Sequence, residues 1–184
     1  WPGIHFFDTP AGSTSPWWRA RTVKRTDARQ SIHDRMSSMD KPRVLVIDDE
    51  IGICQSVKRA LKPTGYIVDT TISSEGGLEK IRADGYDLVL LDVMMPGVSG
   101  IDLIASIHEQ DPEIVCVIIT GYATVELAVR AIKQGAYDFL TKPFSVDDLL
   151  LAVSQGLERR RLSLEARRAE AAEAEARQLA IEKK

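Results

Sequence analysis

Between residues 41 and 157 the chain alternates short apolar runs with longer stretches in which apolar residues recur every three or four positions. The runs span 44–47, 66–70, 88–91, 114–119 and 137–140, are rich in Val and Ile, and read as strands. The stretches between them read as amphipathic helices. Cys54, Val57 and Leu61 share one face, as do Leu103, Ile104 and Ile107. Val125, Ala128, Val129 and Ile132 form a third stripe, and Val146, Leu149, Leu150, Val153 and Leu157 a fourth. Ser145 followed by Asp148 resembles a capping box opening the last helix.

Five strand–helix units in strict alternation predict an α/β fold, with a parallel sheet covered on both faces. The runs at 44, 88 and 114 are wholly apolar, as central strands should be, whereas those at 66 and 137 take in Asp69 and Asp138, as edges tolerate. A doubly wound, flavodoxin-like (βα)5 sheet in the order 2-1-3-4-5 follows, with a long C-terminal helical extension.

The flanks differ. Residues 1–40 hold Trp1, Trp17 and Trp18, keep no apolar period and lack the apolar core of a signal peptide. They are expected to be disordered or non-native, with Met36 or Met39 a natural start. Arg19 to Arg29 would make a basic arm, were it not diluted by Asp8, Asp27 and Asp34. Residues 158–184 contain no Gly or Pro, and pairs such as Arg161–Glu165 and Glu173–Arg177 stand at i, i+4. A helical linker is expected, running on from the domain at 41–157. Leu150, Leu157, Leu164 and Ala171 recur every seven residues, but Arg160 and Arg167 occupy the intermediate positions, so coiled coil and solvated single helix both fit. A weak homodimer through this helix is the expectation.

Composition narrows the class. With 44% apolar residues a core is affordable, and a net charge of −3 gives no general case for nucleic-acid binding. No run of 18 apolar residues exists to span a membrane. Cys54 and Cys116 form no CxxC pair and read as reduced, packed thiols of a cytoplasmic protein.

Function in such a sheet gathers at the carboxyl ends of the strands. There the sequence places Asp48-Asp49-Glu50, then Asp92, Thr120-Gly121 and Thr141-Lys142-Pro143. Three neighbouring carboxylates repel one another unless a cation intervenes, and a hard divalent ion with oxygen ligands, Mg²⁺, suits them. A carboxylate can act as a nucleophile towards phosphorus, with lysine and hydroxyl steadying the transferred group. Each part alone has a plainer meaning, such as acids at a helix N-terminus or a turn aspartate. The ordered set of four rim positions is far more specific.

Asp48-Asp49, the segment Leu91-Asp92-Val93-Met94-Met95-Pro96-Gly97-Val98-Ser99-Gly100, Ile119-Thr120-Gly121-Tyr122 and Leu140-Thr141-Lys142-Pro143-Phe144 together resemble the receiver domain of two-component response regulators. Gly135-Ala136-Tyr137-Asp138-Phe139-Leu140 and Gly121-Tyr122-Ala123-Thr124 are similar in wording to the NtrC-like type. The resemblance implies phosphorylation of Asp92 by a sensor histidine kinase. It implies Mg²⁺ on Asp49, Asp92 and the Met94 carbonyl, with Asp48 acting through water. Lys142 would pair with the phosphoryl group before a cis Lys142–Pro143 bond, Thr120 would be the switch hydroxyl, and Phe139 the switch aromatic. The domain would be a phospho-switch and not a turnover enzyme, feeding an output domain beyond Lys184 or acting alone as a docking adaptor. An aspartyl-phosphate phosphatase would need Asp-x-Asp after the first strand, and a flavodoxin-like cofactor binder a hydroxyl- or Gly-rich loop there.

Overall fold

The structure is a computed structural model that describes residues 41–97 and 99–182; the expectations for 1–40 lie outside the described residues. Strands β1 (Arg43–Ile47), β2 (Ile67–Thr71), β3 (Leu88–Asp92), β4 (Val115–Thr120) and β5 (Asp138–Thr141) alternate with helices. These are α1 (Ile51–Leu61), α2 (Ser74–Ala83), α3 (Gly100–Gln110), α4 (Val125–Lys133) and α5 (Val146–Glu182), with one 3₁₀ turn at Lys62–Thr64. The sheet is parallel throughout, in the order β2-β1-β3-β4-β5 that the sequence predicts. Several strands run one residue further than their apolar runs, because ladder pairing extends to the polar ends Asp92, Thr120 and Thr141.

Strand side chains alternate between two cores. Leu45, Ile47, Val89 and Leu91 meet Ile101, Ile104 and Ile107 of α3, with Ile81 of α2 and Ala131 of α4. Val44, Val46, Leu88 and Leu90 meet Cys54, Val57 and Leu61 of α1 and Leu149 and Val153 of α5 on the opposite face. Each fully buried Leu or Ile contributes about 1.5–3 kcal/mol of transfer free energy, so the two layers fix the strand ends firmly.

Two expectations about helix faces change. The stripe Val125, Val129 and Ile132 of α4 points outward, with exposures of 76%, 48% and 52%. Leu127 and the buried Ala131 hold the helix instead. Periodicity reveals that a stripe exists, not what covers it. Helix α5 opens with the expected reciprocal cap: the Asp148 N–H donates to Ser145 Oγ (3.1 Å), while Asp148 Oδ2 accepts from the Ser145 N–H (3.2 Å) and hydroxyl (2.6 Å). The helix then continues unbroken for 37 residues, about 55 Å at 1.5 Å per residue. Its heptad line does not stand free at the start. Leu150 and Leu157 pack on the core, and Arg160 and Arg167 reach back to the domain.

Among the described residues, no helix is long and apolar enough to cross a membrane.

Candidate functional site

The parallel sheet delivers the polar ends of β1, β3, β4 and β5 to one rim. Asp48 is fully buried, Asp92 is 4% exposed, Asp49 is exposed, and the Thr120 side chain is buried. One carboxylate oxygen from each of Asp48, Asp49 and Asp92 lies within 4.8 Å of the others. Local hydrogen bonds orient two of them alike. Asp48 Oδ1 accepts from the Glu50 N–H (2.9 Å) and Asp92 Oδ1 from the Met94 N–H (3.2 Å). Each aspartate therefore keeps Oδ2 for the centre of the site, where Lys142 Nζ stands 2.8 Å from Asp48 Oδ2 and 3.1 Å from Asp92 Oδ2. The Asp48 contact is an ion pair without hydrogen-bond alignment, which leaves a buried carboxylate oxygen lacking a directed donor. Lys142 precedes Pro143 through a cis bond, as the resemblance implied. Its N–H donates to the Thr120 carbonyl (2.8 Å), tying the end of β5 to that of β4.

The electrostatics follow from burial. Loss of solvent raises the Asp48 carboxyl above its ordinary range, against the pull of Lys142 and the Glu50 N–H. Burial also favours the neutral amine of Lys142, but Asp48, Glu50 and Asp92 outweigh it and hold the ammonium charged, above the ordinary lysine value. The Cys54 thiol donates to the Asp48 carbonyl (3.4 Å) beneath the site. Burial and the Asp48 charge keep it protonated.

The structure thus brings together Asp48, Asp49, Asp92 and Lys142. Met94 enters through its backbone, its side chain being exposed. Thr120 lies buried at the neighbouring strand end, its Oγ1 accepting from the Tyr122 N–H (3.3 Å). Phe139, paired with Ile118, is half-buried against the α3–α4 core. Two contributors had no role from sequence. Glu50 Oε1 lies 3.0 Å from Lys142 Nζ, across 92 residues that no local pattern spans. Gly100 opens α3 where a β-carbon would collide with the Asp92 carbonyl oxygen, so the helix can seat against the end of β3 only with glycine there.

The carboxylate trio fits a hard divalent cation such as Mg²⁺: all its donors are oxygens, they lie close together, and the buried Asp48 Oδ2 has the Lys142 ion pair but no aligned hydrogen bond. Fold and site together define a doubly wound α/β domain with an acidic, cation-type centre closed by one lysine. Comparison with known proteins makes this specific: residues 44–154 match the response regulator receiver domain model, and the chain belongs to that family. It is 41% identical over 138 residues to the C4-dicarboxylate transport transcriptional regulatory protein DctD of Pseudomonas aeruginosa, covering 74% of this chain and 30% of that protein. It is 38% identical over 126 residues to the nitrogen assimilation regulatory protein NtrX of Azorhizobium caulinodans, covering 67% and 28%. Among solved structures, the beryllofluoride-activated NtrC4 receiver domain dimer is 42% identical with a TM-score of 0.62, covering 64% of this chain and 98% of that one. A CheY-like receiver domain from Methanospirillum hungatei gives 30% and 0.65, covering 67% and 99%. The chain spans about 30% of the length of these two curated relatives.

Proposed function

We propose that this domain takes a phosphoryl group from the phosphohistidine of a sensor kinase onto Asp92 and uses the modification to change an output surface. The observation that carries this reading is Lys142 Nζ bridging the buried carboxylates of Asp48 and Asp92, a fixed ammonium beside a nucleophilic oxygen. An Asp92 carboxylate oxygen attacks phosphorus in line. The P–O bond forms, the P–N bond breaks, and the imidazole leaves with the electron pair and takes up a proton. Lys142 then neutralises charge on the transferred group, and the Thr120 hydroxyl would donate to one of its oxygens. Asp48 and Asp49, with Asp92 and the Met94 carbonyl, would hold Mg²⁺, which supplies charge neutralisation among the carboxylates and a binding point for phosphoryl oxygens.

Movement of Thr120 towards the acyl phosphate would free space for Phe139 to turn inward, reshaping the surface around α4 and β5. That surface carries the outward stripe of Tyr122, Val125, Val129 and Ile132, a natural place for a partner to read the switch. The domain acts as a switch and catalyses only its own phosphorylation and dephosphorylation. Relatives named as transcriptional regulators favour a receiver that controls an output domain over a stand-alone adaptor, in the cytoplasm where the kinase domain works. Self-association through α5 would have to use the helix beyond Arg167 or another of its faces.

Incubation with Mg²⁺ and acetyl phosphate, followed by intact-mass and peptide mass spectrometry, tests the proposal. One phosphoryl group should appear on Asp92 and none on Asp92→Asn. A label on another residue of the wild type, or equal labelling of the variant, refutes it.

A further inference from the structure

At the opposite end of the sheet from Asp92, three acidic residues lie in the loops that feed β3 and β4. Asp87 precedes β3, and Asp111 and Glu113 precede β4. All three are engaged by arginines from α5. Arg160 Nε lies 2.8 Å from Asp87 Oδ1 and its Nη2 lies 2.9 Å from Asp111 Oδ2. Two turns further along, Arg167 Nε lies 2.8 Å from Glu113 Oε1. The Arg160 side chain is only 12% exposed, and its two ion pairs, to acids in different loops, hold the guanidinium in this position. The acids are themselves held from behind. Asp87 Oδ2 accepts from the Arg43 N–H (2.8 Å) and Asp111 Oδ1 from the Glu113 N–H (2.9 Å). One turn before Arg160, Gly156 lets the helix approach the sheet closely: a β-carbon there would stand 2.6 Å from Leu88 Cδ1.

We infer that Arg160 and Arg167 form an ionic latch that fastens the first turns of α5 beyond the core to the base of the receiver, making the rest of the helix a rigid arm of defined direction. The residues of α5 that pack on the core end at Leu157, and beyond it the latch, with the half-buried Leu164 between its two arginines, continues the same face. Without it the helix would leave the domain held by one end of its packed segment. With it, the fixed part extends to Arg167, and the direction set there carries roughly 22 Å further, 15 residues at 1.5 Å each, to Glu182. Rigid helices of this kind are how a packed domain passes its orientation to what is joined to it. Arg160 is tied to the loops entering the two strands that end in Asp92 and Thr120, so the arm reports the position of those strands directly. The latch also accounts for the arginines that interrupt the heptad line: Val153, Leu157, Arg160 and Arg167 face the chain's own receiver. A second helix packing along that seam must first open the latch. Asp111 supports the same geometry: burial opposes its ionisation, but the Glu113 N–H and Arg160 outweigh this and hold its carboxyl below the ordinary range.

The full chain can be tested with spin labels on Glu109→Cys at the exposed end of α3 and Ala172→Cys on exposed α5, since both native thiols, Cys54 and Cys116, are buried. Pulsed electron resonance should give one narrow distance distribution. Arg160→Met with Arg167→Met should broaden it and speed amide exchange over residues 161–171 by about tenfold, with phosphorylation of Asp92 unchanged. Arg167→Glu alone should broaden it less, and adding Glu113→Arg should restore the narrow distribution. This charge swap leaves the buried Arg160 untouched and keeps the test decisive should the Arg160 variant unfold. An unchanged distribution in the double Met variant, even with a lowered melting temperature, overturns the latch, as does failure of the charge swap to restore the arm.

Discussion

Replacing Lys142 by methionine isolates the electrostatic problem at the centre of the site. The side chain keeps its length but loses the ammonium that lies within 3.1 Å of Asp48, Glu50 and Asp92. Glu50 is exposed and can turn to water, whereas Asp48 and Asp92 cannot. Removing one partner of a buried charge pair destabilises a fold by about 3–5 kcal/mol, because the remaining charge is left without compensation. The exposed side of this rim admits some solvent, so the lower end, about 3 kcal/mol, applies. With a urea m-value of about 2 kcal/mol per molar, the unfolding midpoint in EDTA should fall by about 1.5 M. The sign of the pH dependence follows from Asp48. Its carboxyl is already raised by burial, and loss of Lys142 raises it further. A group whose folded pKa lies above its unfolded value contributes stability below the unfolded pKa and loses it as pH rises through the folded one. The deficit of the variant should therefore be largest at alkaline pH and shrink as pH falls. Magnesium should restore part of the lost stability, more in the variant than in the wild type, because the ammonium no longer competes for the same oxygens. Equal midpoints for variant and wild type in EDTA at pH 8 would refute the account of Lys142 as the counter-charge of two buried acids.

Two further outcomes separate the roles of neighbouring residues. Asp49→Ala should abolish most of the Mg²⁺-dependent rise in melting temperature yet leave the metal-free domain as stable as the wild type or more so, since an exposed like charge is removed beside Asp48; a magnesium response equal to that of the wild type by calorimetry counts against Asp49 as a ligand. Val129→Ser on the outward stripe of α4 should change stability by less than about 0.5 kcal/mol, whereas Leu103→Ala in the buried core of α3 should cost about 2–5 kcal/mol; similar losses in chemical denaturation would mean that the α4 stripe is covered.

The sequence by itself determined the strand and helix order, the sheet topology and the identity of the rim residues. These properties are carried by short-range patterns: apolar runs of strand length, helical spacing, and Asp48-Asp49, Asp92, Thr120 and Lys142 each within two residues of the end of a run. A parallel doubly wound sheet then brings all strand ends to one edge, so one-dimensional order becomes a three-dimensional site. Tertiary structure decided what depends on partners distant in the chain. The stripe of α4 is equally periodic whether it faces core or solvent, and only the packing of Leu127 and Ala131 turned it outward. Glu50 joins Lys142 across 92 residues, and Gly100 is required because the start of α3 lies against the Asp92 carbonyl. Arg160 and Arg167 look like flaws in a heptad until Asp87, Asp111 and Glu113 are seen beside them. Charge pairing and backbone clearance are relations between surfaces, and surfaces exist only once the chain has folded.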